Sequence, residues 1–194
     1  MGKLFYIMGK SASGKDTIYQ RLLRNPEFSL ERLVIYTTRP IRDGELDGRE
    51  YHFVTEEDFQ KLKAEGKIIE DRGYETVYGL WRYFTADNMN LEEKSYLGIG
   101  TLESYEKLKA YYGEEKIRPI YIEVEDGERL KRAIAREETQ EAPKYEEMCR
   151  RFLADQKDFS EENLEEAGIV RRYYNDDKVQ CLEKIIGEIQ NGKF

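Results

Sequence analysis

Histidine and cysteine are nearly missing from this chain. The one histidine is His52, and the two cysteines, Cys149 and Cys181, stand far apart with no companion cluster. This argues against a zinc site and against a disulfide framework. Long apolar runs are missing as well. No stretch reaches the roughly 20 residues that span a bilayer. The N-terminal MGKLFYIMGK lacks the apolar run and cleavage site of a secretory signal. The expected setting is a reducing cytoplasm. A basic excess is also absent. Lys and Arg number 32 against 40 Asp and Glu, a formal net charge of −8. That argues against a partner that is nucleic acid or an anionic membrane, but it leaves room for a small basic pocket holding a phosphorylated metabolite.

The 194 residues fit one domain with a sizeable core, or a core domain carrying small inserts. Fifteen tyrosines fit half-buried packing for most of them and the lining of a polar pocket for some. The order of elements is informative. LFYIM (residues 4–8) reads as a buried strand, and after Gly14 the pattern turns helical until Pro26. RLVIYTT (32–38) reads as a second strand. Residues 38–88 change texture: turn-rich RPIRDGELDGRE, short strand candidates YHFV and KIIE, and an amphipathic EEDFQKLKAEG suggest a small α+β insert. Core texture then returns. SYLGIG, IRPIYIEV and IVRRYYN are strand-like. Four helical segments accompany them: TLESYEKLKAYYG, DGERLKRAIAREE, KYEEMCRRFLADQKDF and DKVQCLEKIIGEIQ. Alternating strands and helices imply an α/β fold with a mostly parallel sheet covered on both faces.

GKSASGKDT, Gly9 to Thr17, has the G-x-x-x-x-G-K spacing of a phosphate-cradling loop and stands between a strand and a helix, the context such a loop requires. Backbone N–H groups of Gly9, Ser11, Ala12, Ser13 and Gly14 could surround an anion, with the helix N-terminus adding positive potential. Lys15 would bridge the β- and γ-phosphates of ATP. Asp16 stands where Ser or Thr normally holds magnesium, and its carboxylate is tolerable beside a triphosphate if Mg2+ lies between them. Thr17 offers a hydroxyl, but turned about 100° away along the helix.

YTTRPIRDGELDGREYHFV, with KIIE and TVYG downstream and YYNDD near the C-terminus, resembles the guanylate kinase family over most of the chain. It is also similar to the related ribose bisphosphate kinases, whose loops likewise carry G-K-D. The resemblance implies a P-loop kinase core (1–36 and 90–194), an acceptor-binding insert (37–89) and a helical lid (134–150). It implies that Arg39, Arg42, Tyr51 and Tyr78 hold the acceptor phosphate and that Glu70 accepts from the N1 and N2 donors of guanine. In the lid it implies that Arg136 and Arg151, with Arg132 nearby and Arg150 as an equal alternative to Arg151, neutralise the transferring phosphoryl group alongside Lys15 and Arg42. Asn175 would lie near the adenine. The implied substrates are ATP and a phosphorylated acceptor, GMP first, with Mg2+ as cofactor.

Two departures stand out. Ile35 and Leu80 replace hydroxyl residues that help the family recognise guanine. Gly98 and Gly100 replace strand-end aspartates that support magnesium. Asp16 gained and two carboxylates lost suggest a relocated metal ligand. Two further readings stay open at this stage: a kinase for another acceptor such as ribose 1,5-bisphosphate, and a non-catalytic domain binding through the same arginines. A nucleotide-regulated switch has less in its favour, since no N-K-x-D motif is present.

Overall fold

The computed structural model describes residues 2–76 and 78–192. Its centre is a five-stranded parallel sheet in the order β2-β7-β1-β8-β9. These strands are β1 (Leu4–Met8), β2 (Leu30–Arg32), β7 (Ser95–Ile99), β8 (Ile117–Glu123) and β9 (Arg172–Tyr174). All five residues of β1 are buried, as expected of a central strand covered on both faces. Their period-two alternation divides the core. Phe5 and Ile7 pack with Ile18 and Leu22 of α1 (Lys15–Leu23) and Ile185 of α7 (Lys178–Asn191). Leu4, Tyr6 and Met8 pack on the other face with Tyr105 and Leu108 of α3 (Leu102–Tyr112) and Leu164 of α6 (Glu161–Glu166).

The insert is a second sheet, ordered β4-β3-β6-β5. It comprises β3 (Tyr36–Thr37), β4 (His52–Phe53), β5 (Ile68–Thr76) and β6 (Gly79–Ala86), backed by α2 (Glu56–Ala64). Phe59 of α2 packs on Phe84 with ring centres 5.0 Å apart, and Ala86 completes this small core. A capping box between Thr55 and Asp58 starts α2. Two long helices, α4 (Asp126–Glu138) and α5 (Tyr145–Asp158), follow β8.

The structure corrects the strand assigned to residues 32–38. The run divides into β2, which joins the main sheet, and β3, which joins the insert. Leu33 still bonds back to Leu97, while Ile35 already accepts from His52, so the chain changes sheets within three residues. An apolar run carries no information about which edge will receive it. The sequence pattern also leaves β6 and α6 unmarked and shows only the first part of β5. Glu70, Asp71 and Arg72 interrupt the apolar texture there, although the backbone stays extended to Thr76.

Candidate active site

The segment from β1 to α1 has the backbone geometry of an anion cradle. Gly9 and Gly14 have φ of 155° and 84°, in a region L side chains rarely adopt. Each also lacks room: a Cβ at Gly9 would lie 2.5 Å from the Ile122 carbonyl, and one at Gly14 would overlap Asn175 Nδ2. Ala12 is left-handed at φ 63°. Gly14 then caps α1, so the amides of the first turn open toward the loop. The Lys15 ammonium is 3.9 Å from Asp16. The Asp16 side chain is 85% exposed and makes no hydrogen bond among the described residues.

A polar network that the sequence pattern does not mark holds the cradle from beneath. Arg129, 1% exposed, donates to the Ser11 carbonyl at 3.1 Å and pairs with Asp126 (2.9 Å) and Asp155 (3.6 Å). Asp155 in turn accepts from the Ser11 N–H at 2.6 Å. Lys10 bonds Gln156, which bonds Asp126. The loop is thereby tied to α4 and α5. The Asn175 side chain is fully buried and donates to the Ser13 carbonyl at 2.7 Å, which makes it a brace for the loop. Its neighbours Tyr174 and Asp176 line an adjoining cleft of about 540 Å³ with Lys10 and Arg129.

The arginines expected of a lid fall into two groups. Arg136 and Arg151 line one cleft of about 310 Å³, with Lys144 and Glu147 between α4 and α5. Arg150 does not line it. Arg150 and Arg151 both bond Glu147, at 2.6 and 2.7 Å, and these bonds lower its carboxyl to about 2. Arg132 lies deeper. It donates to the Asn175 carbonyl at 3.1 Å and reaches Glu128 at 3.1 Å, while its Nη1 is buried with no partner.

In the insert, Arg39 is buried and held by a fork-to-fork pair with Glu45, at 2.8 and 2.7 Å. Its guanidinium stacks over Tyr51 (5.1 Å) and Phe53 (5.4 Å). The Glu45 carboxyl, bonded first by Arg39 and also by the Arg42 N–H, is pulled down to about 2. The Arg42 guanidinium donates no hydrogen bond among the described residues. Tyr51 opens onto a cleft of about 470 Å³ between the two sheets, lined by Ile35, Arg72, Tyr74, Trp81 and Tyr83 on the insert side and by Ile99 and Gly100 on the core side.

Cross-strand register explains this lining. In the β5–β6 hairpin Glu70 faces Thr85, Arg72 faces Tyr83 and Tyr74 faces Trp81. These pairs alternate with Asp71–Phe84, so one face of the hairpin carries polar and aromatic groups while the other packs on α2. Glu70 itself is buried behind the cleft, where it accepts from Thr85 at 2.8 Å and meets Arg72 Nε at 3.2 Å. Tyr78 sits at the hairpin tip, 81% exposed and stacked on Trp81 with ring centres 6.0 Å apart. Leu80 also stays outside the cleft lining. Arg72, Tyr74, Trp81 and Tyr83 were missed in the sequence, and their only signal there is the i, i+2 alternation along two strands.

The bare strand end at Gly98 and Gly100 has a steric cause. A Cβ at Gly98 would lie 2.7 Å from Cδ2 of Tyr6, and one at Gly100 would overlap the Tyr6 hydroxyl. Among the described residues no three His, Cys, Asp or Glu side chains gather as a metal cluster. Among the described residues no helix is long and apolar enough to cross a membrane.

Comparison with known proteins agrees with this geometry. The guanylate kinase family model matches residues 1–188. The guanylate kinase of Porphyromonas gingivalis is 29% identical over 189 residues, covering 95% of both chains. That of Wolbachia pipientis wMel is 30% identical over 185 residues, covering 95% of this chain and 87% of its own. The crystal structure of guanylate kinase from Anaplasma phagocytophilum shares the fold at a TM-score of 0.64, with 20% identity, covering 100% of this chain and 87% of that one. With its phosphate cradle, its two-sheet cleft and a family match over nearly its whole length, the chain belongs to the guanylate kinase family.

Proposed function

We propose that the protein transfers the γ-phosphoryl group of ATP to the phosphate of GMP, giving ADP and GDP. One observation carries this reading beyond the family. The phosphate cradle and the aromatic cleft open at the same edge of the sheet, beyond the C-terminal ends of neighbouring strands β1 and β7. Ile7 pairs with Ile99, and the Gly100 N–H bonds the Ile7 carbonyl at 3.1 Å. A donor in the cradle and an acceptor in the cleft would therefore meet there.

The chemistry asks for positioning and charge neutralisation. Loop amides and Lys15 hold the donor phosphates. Arg39, Arg42 and Tyr51 hold the acceptor phosphate, to which the exposed Tyr78 would add a hydroxyl if the hairpin tip folded inward. That phosphate oxygen is already anionic, so no general base is needed. Arg136 and Arg151 neutralise charge on the transferring group when the lid closes, and closure excludes water that would otherwise hydrolyse ATP. Magnesium, which keeps several waters and binds through one or two carboxylates plus phosphates, fits a site whose protein share is the exposed carboxylate of Asp16. When bound, it would offset phosphate charge. The aromatic surfaces of Tyr74, Trp81 and Tyr83 suit a flat base better than a ribose bisphosphate.

The test is turnover with ATP and magnesium against GMP, dGMP, AMP, UMP, CMP and ribose 1,5-bisphosphate. Turnover of GMP with none on ribose 1,5-bisphosphate supports the assignment. ATP binding with silence on the whole panel would overturn it.

A further inference from the structure

The insert is joined to the core by two short crossings, and the second carries a contact that neither the donor nor the acceptor site uses. Ala86 still pairs with Ile68 in the insert sheet, whereas Met89 and Leu91 are buried in the core beside the main sheet. Asp87 and Asn88 lie between. The backbone of Asp87 belongs to the insert: its N–H donates to the Lys67 carbonyl at 2.8 Å. Its side chain belongs to the core. One carboxylate oxygen accepts from the Tyr111 hydroxyl at 2.9 Å and the other from the Tyr112 hydroxyl at 2.9 Å, both at the C-terminal end of α3. Asn88 ties the second crossing to the first, donating to the Tyr36 hydroxyl at 3.1 Å. Tyr36 packs on Phe84 and His52 of the insert, with ring centres 5.1 and 4.6 Å apart.

The course of α3 makes this clasp more than a local contact. The helix is capped by Thr101, directly after Ile99 and Gly100, which line the core side of the acceptor cleft, and it ends at the clasp. Its 11 residues span about 16 Å. One rod thus carries a wall of the cleft at one end and the anchor of the insert at the other. The opposite wall hangs from the same anchor, since Trp81 and Tyr83 lie on β6, which runs straight into Asp87. The two tyrosine rings stand at 79° to each other, so their charge-assisted bonds to one carboxylate fix a direction as well as a distance. Burial, and then the Asp87 bond, push the Tyr112 hydroxyl well above the usual tyrosine range, so it stays a donor at neutral pH.

We propose that Asp87 is a positioning residue for phosphoryl transfer: clasped by Tyr111 and Tyr112, it sets the angle between insert and core, and with it the approach of an acceptor in the cleft to a donor in the cradle. This rests on the acceptor reading just proposed. Asp87 is exposed, so the clasp contributes little to stability. Its effect is on alignment, where a displacement of about 1 Å far from the chemistry costs about 100-fold.

The experiment compares wild type with Asp87→Ala, Asp87→Asn, Tyr111→Phe and the Tyr111→Phe/Tyr112→Phe pair. Initial rates of ADP formation give kcat and KM for GMP at saturating ATP and magnesium, calorimetry gives ATP affinity, and thermal melting reports folding. Asp87→Ala and the tyrosine pair should each lower kcat/KM for GMP about 10-fold, with ATP affinity within about twofold and little change in melting temperature. Tyr111→Phe, which removes one of the two hydroxyls, should fall between. Asp87→Asn, which keeps an acceptor oxygen, should recover part of the loss. Combining Asp87→Ala with the tyrosine pair should cost no more than either alone, since all act through one contact.

Unchanged kcat/KM for GMP in Asp87→Ala, or in the tyrosine pair, overturns the proposal whatever the melting temperature does. Tyr111→Phe removes a single exposed hydroxyl, so the test does not depend on Asp87→Ala folding. Parallel losses for ATP and GMP overturn the proposal too, as the mark of a general loosening. A wild type that binds ATP and turns over no GMP brings down the acceptor reading, and the positioning role falls with it. GMP turnover that the variants leave unaltered brings down only the role of Asp87.

Discussion

The ring of Tyr6 occupies the space a side chain at Gly98 would need: an added Cβ there would sit 2.7 Å from Tyr6 Cδ2. Burial pushes the Tyr6 hydroxyl well above the usual tyrosine range, and the same ring blocks Gly100. Gly98→Ala and Gly100→Ala are therefore each expected to destabilise the protein by about 1–3 kcal/mol through overpacking. Tyr6→Val should relieve the strain of either. A double-mutant cycle by urea unfolding measures the coupling, and strictly additive effects would refute it.

The contact between Asp155 and the Ser11 N–H makes the phosphate loop depend on α5. Asp155→Ala leaves that part-buried N–H without its acceptor and removes one of the two carboxylates paired with Arg129. A loss of about 1–3 kcal/mol is expected, together with weaker ATP binding. Denaturant unfolding and ATP titration check both parts. A stability loss with unaltered ATP affinity would mean that the network braces the helices and not the loop.

Arg150 and Arg151 share Glu147, yet only Arg151 joins Arg136 on the lid cleft. Arg151→Ala should lower kcat by about 10²- to 10³-fold, a share of what a cationic finger supplies. Arg150→Ala should change it by less than about threefold, as expected of an exposed ion pair. Single-turnover kinetics on both variants decides the matter, and equal losses would remove the distinction.

Asp16 carries an 85% exposed carboxylate at the cradle. Asp16→Ala should raise the magnesium concentration for half-maximal activity by about 5- to 10-fold, whereas Asp16→Ser should restore much of the metal response. A magnesium titration of initial rates gives the answer. Unchanged midpoints in both variants would sink the relocated-ligand idea.

Glu45 couples the insert to pH. Its carboxyl, ordinarily near 4.5, is held at about 2, chiefly by the Arg39 bond. A carboxyl depressed by folding adds stability above the unfolded value and loses it as pH falls through the folded one. The insert should therefore loosen between pH 4.5 and about 2. Trp81 fluorescence during acid titration reports this, and Glu45→Gln should flatten that part of the curve.

Much of the site was legible in order along the chain. The phosphate loop declares itself because its backbone geometry admits only glycine at Gly9 and Gly14, and because a strand must precede it and a helix follow. Arg39, Arg42 and Tyr51 lie within one short stretch, and it is the resemblance of that stretch to the guanylate kinase family that groups them. The helices at α3, α4 and α7 follow from apolar periodicity closed by polar or glycine ends.

Tertiary structure decided what depends on partners distant in sequence. Only the folded chain shows that residues 32–38 divide between two sheets, since strand pairing is a property of edges and not of runs. Only the β5–β6 register puts Arg72 before the cleft and Glu70 behind it. Asp16 looked like half of a metal exchange with Gly98 and Gly100. The fold gives those glycines a separate reason, a tyrosine ring two strand positions from Leu4 that fills their side of the sheet. Local chemistry was written in the order of residues, and the choice of which side chain faces the cleft between the sheets came from packing.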